Sequence, residues 1–329
     1  MNIREIAKMA GVSPAAVSRY LNNGYISREK SDAIKKVIDE TGYMPSHQAQ
    51  TLRTGKTKLI GVIIPRINSD SISSVVAGVS EVLTAEGYQL ILANTDNDAD
   101  KEIDYLETFK QTNVDGIIHL GTIKSAKHKK AFKAVTTPLV VLGQESESAS
   151  CIFHDDYGAS FSLTDYVLSK NHKHIAYIGV TEKDIAVGYM RKQGFLDAME
   201  KAGLHVPKNM LYQGNFRMDN GYSNAEKILK DHPDVDAIIC ATDTIALGAI
   251  KYLNEHHISI PDQVGVAGFG DSKTSSVLSP SLTTVHFYYK ECGIEGAKLL
   301  LERIQNENSS ARPSQAIKLD YRIIENQSI

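Results

Sequence analysis

Cysteine is scarce in this chain and tryptophan is absent: 329 residues hold three cysteines, at positions 151, 240 and 292. Their wide separation excludes CxxC redox chemistry and a zinc knuckle. Cys240, inside the apolar run AIICA, reads as plain core. No apolar run reaches the length of a membrane span and no signal-peptide pattern opens the sequence, so a cytoplasmic protein without membrane contact is expected. P-loop, GxSxG and HExxH motifs are missing, and Gly268-Phe269-Gly270 lacks the third glycine of a dinucleotide fingerprint. The expectation is therefore no enzyme, no cofactor and no metal. Asp155-Asp156 could suggest a metal but reads as a strand-end turn.

What is present begins at residues 2–23, NIREIAKMAGVSPAAVSRYLNN. Asn2 can cap a first helix, with Glu5 closing a capping box. Gly11 supplies a left-handed residue, Ser13 is a strong N-cap and Pro14 sits at N1. Two short helices joined this tightly make a helix-turn-helix able to enter a major groove. Ser27 is placed to cap a third helix, with Ala33, Ile34, Val37 and Ile38 as its stripe, and Gly42 stops it. Charge agrees: residues 1–58 carry ten Lys and Arg against five Asp and Glu, the remainder 26 against 34. A basic head on an acidic body is the footprint expected when only the head meets phosphate.

Beyond Pro45, Ser46 can cap a two-turn segment over residues 47–53. It is too short to be helical alone in water, so it reads as a helix conditional on a partner. From Leu59 onward, apolar runs at 59–65, 89–95, 116–121, 139–143, 175–180, 237–241 and 264–270 alternate with helical stretches near 72–86, 98–112, 157–170, 189–202, 219–231 and 244–256. Such alternation predicts parallel sheets covered on both faces. The strands are too many for one sheet, so two are expected, with a ligand cleft beyond their carboxyl ends.

At this point the chain resembles the LacI/GalR family of bacterial transcriptional regulators. The likeness rests on IREIAKMAGVSPAAVSRYLNN, TGYMPSHQAQTLRTGKTKLIGVIIP, TDNDADKEIDYLE, VDGIIHLG, RKQGF, TDTIALGA and VAGFGDS followed by LSPSLTTV. It implies a helix-turn-helix head over residues 1–45 and a hinge helix and linker over 46–58. The core it implies is like a periplasmic sugar-binding protein, with two doubly wound parallel-sheet lobes, 59–157 with 289–315 and 158–286 with 317–329. It further implies a homodimer that binds double-stranded operator DNA and a small sugar. GFGDS, LVVLGQ and TTVHFYYKECG are most similar to sucrose operon repressors, so sucrose, fructose or a phosphorylated relative is expected. The chain ends without heptads, which favours a dimer over a tetramer.

The resemblance and the motif together nominate residues. Arg19 is expected to read guanine, with Pro14 and Ala15 fitting by shape and Ser13, Ser18, Asn22 and Tyr43 on phosphates. Leu52 is the expected minor-groove wedge, and small Ala49 lets two hinge helices lie together. For the effector, Arg191 is implied as the gripping arginine and Phe216 as the stacking aromatic. Ser71 and Ile72 form the lip after the first strand, Thr242-Asp243 replaces Asn-Asp, and Gln144 and Asp271 stand beside family aspartates that are glycine here. A regulator activated by a corepressor is the alternative. A periplasmic binding protein would need a signal peptide and no basic head.

Overall fold

The computed structural model describes residues 1–22, 24–43, 55–123, 125–305 and 313–329. The expectations for Ala49, Leu52 and the conditional helix lie outside the described residues. The chain divides into two units, Met1–Lys58 and Leu59–Ile329.

In the first unit, helices α1 (Ile3–Met9), α2 (Pro14–Leu21) and α3 (Arg28–Thr41) follow the caps in the sequence. Asn2 and Glu5 form the reciprocal capping box, and Ser13 Oγ accepts from the Ala16 N–H at 3.2 Å. Gly42 closes α3 at φ +62°, a left-handed value that costs glycine nothing. Ser27 stands at the N-cap of α3, but its side chain makes no capping hydrogen bond. Ile6, Ala7, Ala16, Val17, Ile34 and Val37 form the small core. Tyr43 is buried with them, its ring packed on this small core.

The second unit alternates strand and helix. In chain order these are β1 (Leu59–Ile64), α4 (Asp70–Ala85), β2 (Gln89–Asn94), α5 (Ala99–Gln111), β3 (Gly116–Leu120), α6 (Ala126–Ala134), β4 (Leu139–Leu142) and β5 (Ser150–His154). The chain then crosses into α7 (Asp156–Ser169), β6 (Ile175–Val180), a π-helical turn (Ile185–Met190) and α8 (Arg191–Lys201). It continues through β7 (Leu211–Gly214), α9 (Met218–Asp231), β8 (Ala237–Cys240), α10 (Asp243–Glu255), β9 (Gly265–Phe269) and β10 (Thr283–Phe287). Helix α11 (Tyr289–Gln305) and strands β11 (Ala316–Leu319) and β12 (Tyr321–Ile324) end it.

Two six-stranded sheets result, ordered β11-β5-β4-β3-β1-β2 and β12-β10-β9-β8-β6-β7. All pairings are parallel except β10 with β12. Helices cover both faces of the first: Ile60, Val62 and Ile64 pack to one side, Ile63, Ile117 and Val141 to the other. That is why its inner strands are apolar without alternation.

The structure corrects the expected boundaries at one crossing. Strand β11 pairs with β5 in the first sheet, so the final return to the second lobe falls at Asp320, not before residue 317. Strands β5, β7, β10, β11 and β12 and helices α6 and α11 were not among the expected elements. Four or five residues mixing polar and apolar types, as in SCIFH or LYQG, give no periodicity to read.

Candidate functional site

The head offers one polar face. At about 100° per residue, Pro14, Ala15, Ser18, Arg19 and Asn22 fall within about 140° of arc on α2. The opposite arc holds Ala16 and Val17, both buried, with Tyr20 and Leu21 packed beside them. Pro14, Ala15, Arg19, Asn22 and the Ser13 cap are exposed and Ser18 is half-buried. The Asn22 side-chain amide donates to the Ser18 carbonyl, fixing the end of the helix. Of the seven nominated residues among those described, Pro14, Ala15, Ser18, Arg19 and Asn22 thus share one surface with the Ser13 cap at its front, whereas Tyr43 lies in the core.

In the second unit, a cavity of about 610 Å³, its open mouth included, lies between the lobes. Its lining follows the carboxyl ends of the strands, as open α/β sheets require. Pro65 follows β1, Leu120, Gly121 and Thr122 close β3, Leu142, Gly143 and Gln144 close β4, and His154 and Asp156 flank the end of β5. From the other lobe come Asp184, Val187 and Arg191 after β6, and Tyr289 stands where the chain crosses back after β10.

Arg191 is the organising cation. Its Nε and one terminal nitrogen both donate to Asp156 Oδ1 at 2.7 Å, and the other donates to the Ala241 carbonyl at 2.7 Å. The guanidinium also lies over the rings of Phe269 and Phe287, 4.9 and 4.8 Å from their centroids. Burial works against the charge, but Asp156 outweighs it and the pKa is raised. Most of the fork is therefore committed inside the protein before any ligand arrives.

Asp184 reaches across the cleft. Its Oδ1 accepts from Gln144 Nε2 at 2.7 Å and from the Val187 N–H at 3.0 Å, and Gln144 also donates to the Thr122 carbonyl. Burial lifts the carboxyl to about 6, against the pull of those hydrogen bonds. Burial also lowers the pKa of His154, which favours the neutral imidazole. A second cross-cleft contact puts Arg66 over the Phe216 ring at 5.2 Å, with its guanidinium donating to the Phe216 carbonyl at 3.4 Å.

Of the nominated effector residues, Ser71, Ile72, Gln144 and Arg191 line this cavity. Four do not. Phe216 is held under Arg66 at the lip, and Thr242 caps α10 through the Ile245 N–H. Asp243 is buried, accepting from the Ser272 N–H at 2.8 Å and from Thr284 Oγ1 at 2.5 Å. Asp271 pairs with His286 Nδ1 at 2.8 Å. Asp156, Asp184, His154 and Tyr289 were missed; all follow or end strands, so the carboxyl-end rule could have found Asp184 from the expected β6 and the other three once β5 and β10 were known.

Residues 57–323 match the family described as "Periplasmic binding proteins and sugar binding domain of LacI family", and residues 2–46 match "Bacterial regulatory proteins, lacI family". A sucrose operon repressor of Staphylococcus xylosus is 35% identical over 93% of this chain and 94% of its own. The chain belongs to the LacI family. Another LacI-type relative by similarity, the HTH-type transcriptional repressor PurR of Actinobacillus pleuropneumoniae serotype 3 (strain JL03), is 30% identical over 99% of this chain and 98% of its own. The lac repressor dimer bound to operator and the anti-inducer ONPF shares the fold, with a TM-score of 0.89 over 100% of this chain and 98% of that one at 19% identity. This LacI-family chain is a DNA-binding transcriptional repressor and not an enzyme. No helix among the described residues is long and apolar enough to cross a membrane.

Two outcomes follow for this site. Arg191→Met alone strands the buried Asp156 carboxylate and should cost about 3–5 kcal/mol in urea denaturation, whereas adding Asp156→Leu should restore most of it. An equal loss in the double variant would show that packing, not charge, is at stake. For Asp184 the raised pKa means that the native state holds its proton more tightly than the unfolded chain. This group's contribution to stability is therefore lost as pH rises from about 4 through about 6. An asparagine oxygen can accept the same two donors, so Asp184→Asn should stabilise the protein at pH 7.5 and leave it unchanged at pH 4.5.

Proposed function

We propose that the effector of this repressor is an uncharged sugar, sucrose or a fructose-containing relative, bound between the lobes and acting as an inducer. The observation that carries this reading is the character of the cavity lining. Asp184, Gln144 and Arg191 offer hydrogen-bonding groups to hydroxyl edges, while Ile72, Val75, Leu120 and Leu142 offer apolar surface to C–H faces. Two carboxylates, Asp156 and Asp184, stand against one cation, Arg191, already paired. That balance disfavours a phosphate dianion, so the phosphorylated sugars suggested by the sequence rank below neutral ones. The 35% identity to a sucrose operon repressor supports the same choice.

On the DNA side we infer that Arg19 takes guanine O6 and N7, that Pro14 and Ala15 fit by shape, and that Ser13, Ser18 and Asn22 hold phosphates. A cytoplasmic homodimer with the hinge wedge at Leu52 completes the proposal.

Titrating sucrose, fructose and their phosphates into an operator gel shift, beside glucose and purine bases, tests the effector. Release by sucrose or fructose, with operator affinity falling about 5- to 150-fold, is expected. Release by a purine, or tightening by any sugar, would replace the inducer reading with a different ligand class or a corepressor. Arg19→Ala should lose about 1–3 kcal/mol on the operator and relax preference at one base pair. An equal loss on random DNA would reduce Arg19 to a phosphate contact.

A further inference from the structure

Away from the ligand cavity, three side chains able to bind metal converge in the first lobe. Glu102 comes from the first turn of α5, His119 from β3 and His128 from the first turn of α6. All three are at most 1% exposed. His119 Nε2 and His128 Nε2 lie 3.0 and 3.1 Å from the same carboxylate oxygen, Glu102 Oε2. The three ligand atoms lie within 4.8 Å of one another. No spacing motif announced them, because the residues are 17 and 9 positions apart and only the βαβ crossovers bring them together.

Burying a carboxylate is costly unless it is paired. Among the described residues, Glu102 is paired with His119 and His128 and with no lysine or arginine; Lys127 is occupied by Asp100 at 2.8 Å. Zinc takes imidazole nitrogen and carboxylate oxygen at about 2.0–2.2 Å, which puts tetrahedral ligand atoms about 3.3 Å apart. The two nitrogen–oxygen separations of 3.0 and 3.1 Å need to widen by only a few tenths of an ångström, and the two imidazole nitrogens, within 4.8 Å of each other, need to settle at the same spacing. Two imidazoles and one carboxylate suit zinc and its late first-row neighbours, and offer too few oxygens for calcium or magnesium. His128 Nδ1 lies 2.9 Å from Ser125 Oγ and accepts from the Ser125 N–H at 3.3 Å; with Nε2 on a metal, Nδ1 carries the proton and donates to the hydroxyl, and the backbone N–H gives up that acceptor.

We propose that Glu102, His119 and His128 form a zinc-class divalent metal site that braces the wall of the ligand cavity, with water as the fourth ligand. The bracing follows from position. His119 immediately precedes Leu120, Gly121 and Thr122 of the cavity wall. Its ring lies so close to Gly121 that a Cβ there would meet Cε1 at 2.3 Å. A metal ion fixing that ring fixes the backbone beside it.

Zinc alone, dialysed against chelator-treated full-length protein, provides the test. One tight equivalent per chain is expected in the native protein, retained in His172→Gln/His174→Gln, which removes the histidines beside Asp236 and Asp234. His119→Gln with an unchanged far-UV spectrum should weaken zinc by more than the about 100-fold typical of losing an outer partner. Zinc-edge X-ray absorption of the native protein should show two imidazoles, a result independent of whether any variant folds. No tight equivalent, retention in His119→Gln, or a coordination shell without paired imidazoles would overturn the site and leave the cluster as a hydrogen-bonded brace between α5 and α6.

Discussion

The buried pair Arg191–Asp156 ties together more of this molecule than any other interaction. Asp156 opens α7, where the chain first leaves one lobe for the other, and Arg191 opens α8. The same guanidinium holds the Ala241 carbonyl beyond β8 and lies over rings from β9 and β10. Three strand ends of the second lobe and one crossover therefore share a single cation. A pair this deep adds little net stability over an apolar replacement, but removing one member is expensive. Its consequence is positional: the strand ends that face the cavity cannot shift independently.

From that anchored wall the cavity takes its chemistry. Most polar groups in it sit where a parallel strand ends, because there the backbone turns away and leaves side chains facing the opposite lobe, while Ser71 comes from the first turn of α4. Gln144 and Asp184 meet across this gap at 2.7 Å, and Ile123 pairs with Asp184 through a backbone bridge. Buried polar groups are satisfied partly across the cleft and partly within their own lobe, where Val187 N–H donates to Asp184 and Gln144 donates to the Thr122 carbonyl.

How much of this was legible from the sequence depends on range. The head was readable almost residue by residue, since caps such as Asn2 with Glu5 and Ser13 with Pro14 act within four positions. The alternation of strands and helices was equally clear wherever runs such as LIGVII were long. Short edge and crossover strands, β5, β7, β10, β11 and β12, were invisible because four or five mixed residues carry no period. Site residues suffered from that loss. Arg191 could be named from its RKQGF context, yet its partner Asp156, 35 residues earlier, could not, and a dipeptide seen as a turn is one helix cap and one half of an ion pair. Phe216 and Asp243 fitted the family pattern in sequence while the local packing, Arg66 on one and Thr284 on the other, turned them to other work.

The cross-cleft contacts also constrain how an effector could act. With Gln144 already donating to Asp184, a ligand hydroxyl that takes that carboxylate must displace the amide, and exchanging one hydrogen bond for another changes little. A net hydrogen bond contributes about 0.5–1.5 kcal/mol, whereas control of operator binding asks for about 1–3 kcal/mol of difference between two states. A ligand confined to the Asp184 end therefore falls short. One that also covers the apolar wall at Ile72, Val75 and Leu142 gains roughly 25 cal/mol for each Å² it buries, and about 60 Å² supplies the missing 1.5 kcal/mol. Only the part of that gain made in one dimer geometry and not the other counts toward release. On the proposed reading, this favours a ligand with two distinct halves, hydroxyl-rich at the carboxylates and C–H-rich at the aliphatic wall, over a small uniformly polar one.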